Sequence, residues 1–159
     1  DPWSRRYLEE CLKLGITNIH VHKGPTIRPL DRDAFDVADI DKVATDYLDL
    51  NFIVEHVGLP RLEDFCWIAT QESNVYGGLA VAIPFIHTRP RYFAQIIGEL
   101  LYWIGEDKIL FGSDFPYTSA TECIENGAVS TTEVSDHTGA GTRGKKRRQL
   151  TGREVPMPF

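Results

Sequence analysis

Apolar positions along the chain switch repeatedly between helical spacing and short continuous runs. Tyr7, Leu8, Cys11 and Leu12 recur at helical spacing behind Asp1, a capping residue, and Pro2, suited to a first helical position. Gly15 ends that helix. Ile16 to His22 is rich in β-branched residues and closes on Lys23, Gly24 and Pro25, which predicts a strand and then a loop. The polar stretch from Thr26 to Asp36, broken by Pro29, extends that loop. Ile40, Val43, Ala44 and Tyr47 predict a short helix with Asp39 as its cap, and Asn51 to His56 predicts a second strand ended by Gly58 and Pro60.

Leu62, Phe65, Cys66 and Ala69 mark the next helix, and Val75 to Ile83 predicts a third strand closed by Pro84. Gly77 and Gly78 within it predict a bulge or a close backbone approach. Pro90 opens the strongest helix, with Phe93, Ile96, Ile97, Leu100, Leu101 and Ile104 on one stripe that Gly105 ends. Trp103 lies off the stripe, positioned to meet a neighbouring element. Ile109, Leu110 and Phe111 read as a strand buried on both faces, broken by Gly112 and Pro116.

This regular alternation of helix and strand implies a parallel sheet with helices outside it. Three of the four strands end in a candidate ligand: His22, His56 and Asp114. If the strands are neighbours in a barrel, these side chains converge on the carboxyl-end rim, where such folds place their chemistry. An Asp after a strand is also a common turn former or helix cap, and a loop-end His can simply bond to backbone.

Composition narrows the classes. At 159 residues and 42% apolar, the chain can bury one real core. A net charge of -6 argues against a general nucleic-acid binder, and no apolar run approaches a membrane span. With no leader pattern, a cytoplasmic protein is expected. Cys11, Cys66 and Cys123 have no CxxC spacing, so neither a disulfide framework nor a cysteine zinc site is indicated. Cys11 and Cys66 read as space-filling residues. The chain starts on Asp1 with a helix leading into a strand, as a βα repeat looks when cut part-way.

VHKGP around His22, FIVEHVGLP around His56, NVYGGL around Tyr76 and ILFGSDFP around Asp114, in this order, resemble the second half of the amidohydrolase-related family. That family includes decarboxylases similar to aminocarboxymuconate semialdehyde decarboxylase. The spacing of HVG and GSDFP, roughly 55 to 60 residues, is moderately specific. The resemblance implies a partial (β/α)8 TIM barrel over residues 1–117, about four βα units matching strands five to eight of the family. It also implies one divalent metal ion, zinc first and manganese second, at the carboxyl ends of the strands. His22 would match a metal ligand on strand five, and His56 the histidine of strand six that orients or deprotonates the metal's water. Asp114 would match the metal ligand and proton shuttle of strand eight. The general chemistry agrees, since such a metal activates water and polarises a substrate oxygen at neutral pH.

His20 and His22 form an HxH like that of the superfamily's first strand, but HVG follows too soon for strands two to four to fit. His20 is therefore read as a deeper, supporting or core histidine. Strand alternation points Lys23 and Glu55 away from the histidines beside them, toward solvated or helix-paired roles. His87, Arg89 and Arg61 are candidates for contacts with an acidic small-molecule substrate, set against ordinary exposed loop roles.

Two departures qualify the resemblance. The family's upstream half is absent, and four strands cannot close an eight-stranded barrel. A homodimer or a missing N-terminal half could complete it. Residues 118–159, rich in Ser, Thr and Gly, predict a disordered tail in which the basic cluster Arg143 to Arg148 is solvated and His137 is no ligand. Two functions stand: a metal-dependent hydrolase or carboxy-lyase present as a carboxyl-terminal fragment inactive alone, or a catalytically silent half-barrel serving binding or assembly.

Overall fold

The computed structural model describes residues 1–116, 119–121 and 124. Cys123, His137, the cluster Arg143 to Arg148 and nearly all of the predicted tail lie outside them. Helix α1 (Pro2–Lys13) starts as expected: the Asp1 carboxylate accepts hydrogen bonds from the Trp3 and Ser4 backbone N–H groups. Leu8 and Cys11 are buried while Tyr7 is exposed, so the buried stripe is narrower than the sequence suggests. Then come β1 (Asn18–His22), α2 (Ala38–Asp46), β2 (Asn51–Glu55), α3 (Leu62–Gln71) and β3 (Val75–Gly78). The short helix α4 (Phe85–Thr88), α5 (Pro90–Trp103) and β4 (Ile109–Leu110) complete the order.

The strands form one parallel sheet in the order β1-β2-β3-β4. Sequential order with a helix between each pair is a continuous piece of a barrel wall. Ile19, Phe52, Val54 and Val75 are buried and join the core under the helices, with Phe65, Cys66 and Ala69 of α3 and Ile96 and Leu100 of α5. The register pairs His20 with Ile53 and His22 with Glu55, then Ile53 with Tyr76 and Glu55 with Gly78. Those residues share the opposite face, the one a closed barrel would enclose.

Several expectations are corrected. Strand β2 stops at Glu55, because His56 and Val57 take left-handed backbone angles, φ 65° and 46°, that no strand sustains. Gly58 follows at φ 68°, and a Cβ there would stand 2.7 Å from Val37 Cγ1, so this turn needs glycine. Strand β3 ends at Gly78 rather than Ile83; Ala80–Ala82 form a 3-10 turn. Strand β4 is not buried on both faces: Leu110 is 37% and Phe111 52% exposed, since β4 lies at the sheet's edge. Leu101 is also exposed.

Asp39 is not the cap of α2: the helix begins at Ala38 behind Val37, with Asp39 inside its first turn, and Asp36 accepts from the Ala38 N–H at 3.1 Å. Asp39 instead pairs with Lys23 Nζ at 2.7 Å. Lys23 thus takes the helix-paired role of its two expected roles, buried rather than solvated, and also donates to the Ala34 carbonyl at 3.0 Å, pinning the long loop after β1. Trp103 does meet a neighbour, stacking edge-to-face on Trp67 of α3 at 5.9 Å between ring centroids.

Candidate functional site

The site grows from two strand ends. His22 is the last residue of β1; His56 follows β2 and leaves strand geometry at once. The left-handed turn swings the His56 ring back toward β1, and Gly24 makes room, since a Cβ there would stand 2.8 Å from His56 Cβ. The two imidazoles meet edge-to-face, with His56 Nε2 3.1 Å from His22 Nδ1.

Two backbone groups fix where the protons of the neutral pair sit. The Val81 N–H, in the turn after β3, donates to His56 Nδ1 at 3.3 Å, so the proton of a neutral His56 is on Nε2. The Pro25 carbonyl, which can only accept, lies 2.8 Å from His22 Nε2, so that nitrogen carries the His22 proton. His56 Nε2–H then donates to the bare Nδ1 of His22. Burial first, then the neighbouring His22, lowers the His56 pKa below its usual 6.5, while Asp114 and Glu55 pull it upward. While both rings are neutral the hydrogen bond runs one way, from His56 to His22.

Asp114 lies beyond β4 on the same carboxyl-end side, at φ 61°, and its charge is felt at His56. Imidazole and carboxylate are donors that zinc or manganese accepts. Yet among the described residues no group of three or more His, Cys, Asp or Glu is placed to hold a metal ion. Both ring nitrogens of His22 and of His56 are already engaged. The donor types fit; the chain offers only part of a coordination set.

The substrate-side candidates scatter. Arg61 bonds Asp36 at 3.0 Å and lines a cavity of about 210 Å³ with Arg32, Phe35 and Pro25, beside the His22 loop. Arg89 lies over the Tyr92 ring at 4.4 Å, and His87 is exposed on α4.

Sequence reasoning misplaced Glu55, which belongs to the inner face with His22, its Oε1 accepting from His20 Nδ1 at 2.6 Å. His20 shares the face of His22 one layer deeper, as expected, but is exposed there rather than a core histidine. The pairing register, which only the fold supplies, carries this information.

Two solved structures match the chain, the first of them sharing its architecture. An uncharacterised TIM-barrel protein from Bordetella bronchiseptica is 22% identical with a TM-score of 0.60, over 79% of this chain and 44% of that one. A provisionally named 2-pyrone-4,6-dicarboxylic acid hydrolase from Pseudomonas putida is 18% identical with a TM-score of 0.46, over 79% of this chain and 60% of that one. The chain thus spans less than two thirds of the length of either. No curated protein matches it at a significant level. The fold is a partial TIM barrel, and among the described residues no helix is long and apolar enough to cross a membrane. The amidohydrolase family model matches residues 1–127, most of the sequence, and the chain belongs to the amidohydrolase family.

Proposed function

We propose that the chain is the carboxyl-terminal half of an amidohydrolase-type barrel, acting as a metal-dependent hydrolase or carboxy-lyase on a small carboxylate substrate. The observation that carries this reading is the 3.1 Å contact between His22 and His56, side chains from separate strand ends brought to one rim. Asp114, whose charge reaches His56, supports it. The family is generally metal-dependent, and one divalent ion, zinc before manganese, would be held by His22 and Asp114 with ligands from outside the described residues. When bound, the ion supplies Lewis acidity and lowers the pKa of water. The Nδ1 lone pair of His22 would go to the ion in place of the His56 N–H that now occupies it, and the Nε2–H of His56, released from that bond, would donate to a substrate or water oxygen. Strands supplied by the rest of a longer chain, or by a second copy, would exclude water.

A silent half-barrel used for binding or assembly is the second reading. It is favoured by the absence of a three-donor cluster among the described residues. Metal analysis of the purified chain separates the two. Retained stoichiometric zinc or manganese, lost in His22→Ala and Asp114→Ala, supports the first; no retained metal in the wild type supports the second.

A further inference from the structure

We propose that the aromatic ridge of Trp67, Tyr102 and Trp103 on α3 and α5 is a docking surface for a basic segment of this same chain, Arg143 to Arg148, which lies outside the described residues. Trp67 and Trp103 meet edge-to-face across the two helices, and Tyr102 stands edge-to-face to Trp103 at 5.2 Å between ring centroids. Trp67 is nevertheless 65% and Tyr102 80% exposed. Large rings left together in water mark a contact surface. Elsewhere the chain covers such rings with arginine: Arg6 stands 5.8 Å from the Trp3 centroid and Arg89 4.4 Å from that of Tyr92. Among the described residues no arginine or lysine stands over Trp67, Tyr102 or Trp103.

The charge around the ridge says what would cover it. Glu63 lies one turn before Trp67 on α3, and Glu99 one turn before Trp103 on α5, where it accepts from the indole Nε1–H at 3.0 Å. Both charges add to the upward push on the Cys66 thiol, so both flank the seam between the helices. Glu106 and Asp107 follow, exposed, just beyond α5. Among the described residues none of these four carboxylates pairs with a lysine or arginine, and Lys108 is taken up by the Ala69 and Glu72 carbonyls. Aromatic faces rimmed by unmatched negative charge attract guanidinium and ammonium groups. The chain carries such a segment: Arg143, Lys145, Lys146, Arg147 and Arg148, interrupted only by Gly144, in a sequence of net charge -6. The 19 residues from Ile124, the last described, to Arg143 can span about 65 Å when extended, nearly twice the roughly 35 Å across a compact fold of this size. The segment therefore reaches the ridge of its own chain, and the tether presents it at about millimolar effective concentration. The sequence alone left this cluster solvated; the ridge supplies a partner.

The test uses the full chain, sodium chloride as the probe and the indole N–H resonances as the readout, with Trp3 on α1 as the internal control. Raising the salt from about 0.05 M to about 0.5 M should weaken docking about tenfold and move the Trp67 and Trp103 resonances but not that of Trp3. The variant Arg143→Gln, Lys145→Gln, Lys146→Gln, Arg147→Gln, Arg148→Gln should show the high-salt positions at both salt concentrations. Wild-type Trp67 and Trp103 resonances that ignore salt would overturn the proposal without any variant having to fold, as would an equal salt response in the variant. A salt-sensitive shift that grows with protein concentration would also overturn it, by placing the basic segment on a second copy.

Discussion

The Nε2 of His56 lies 3.1 Å from the Nδ1 of His22, and backbone groups on either side leave the neutral pair one arrangement of protons. That relationship joins β1 to the turn after β2 and sets what the rim can do. It also makes the pair sensitive to conditions and to small changes around it.

Acid should weaken the fold through His56. Its folded pKa lies below the unfolded value of about 6.5, so the unfolded chain gains the proton first as the pH falls. The contribution is fully present above 6.5 and is lost between 6.5 and the depressed folded value. Urea denaturation from pH 8 to pH 5 should show falling stability, with a shallower slope in His56→Gln. The carboxylates Asp36 and Asp46, also depressed, act below about 3.8 and do not confuse this window. Equal slopes would remove His56 from the explanation.

Gly24→Ala should disturb the site from beside it. The added Cβ would stand 2.8 Å from His56 Cβ, closer than side chains approach, so the ring or the β1 loop must move. Crowding of this kind costs about 1–3 kcal/mol. Chemical denaturation should show that loss together with shifted His56 and His22 ring resonances; unchanged resonances would mean that the loop absorbs the methyl group.

The Cys66 thiol should be inert in the folded chain. It is buried among the residues of α3, and burial above all pushes its pKa up to about 12. An aromatic disulfide reagent should label Cys66 only after denaturant is added. Rapid labelling under native conditions would show that α3 opens far more readily than its packing implies.

Much of the wall of the barrel was legible because periodicity alone carries it. The apolar sets of α1, α3 and α5, apart from the exposed Tyr7 and Leu101, and the strand ends at His22 and near His56 are local signals, and the structure keeps them. Glu55 was misassigned for a physical reason. Alternation was counted from His56, which has already left strand geometry at φ 65°, so the parity came out reversed. His20 needed the cross-strand register, and the end of β3 needed knowledge that the chain turns at Ala80–Ala82 to bring the Val81 N–H under His56. No sequence period encodes such a backbone donor. Asp39 was misread as a cap because α2 starts one residue earlier, at Ala38, which puts Asp39 in the first turn, where it pairs with the buried Lys23.

The central claim is that two imidazoles from separate strand ends share one directed hydrogen bond. Nitrogen-labelled histidine NMR measures this directly, through the scalar coupling that passes across an N–H···N bond. The account predicts a resolved coupling between His56 Nε2 and His22 Nδ1, with both neutral rings protonated at Nε2. Absence of that coupling, with His56 protonated at Nδ1, would contradict it.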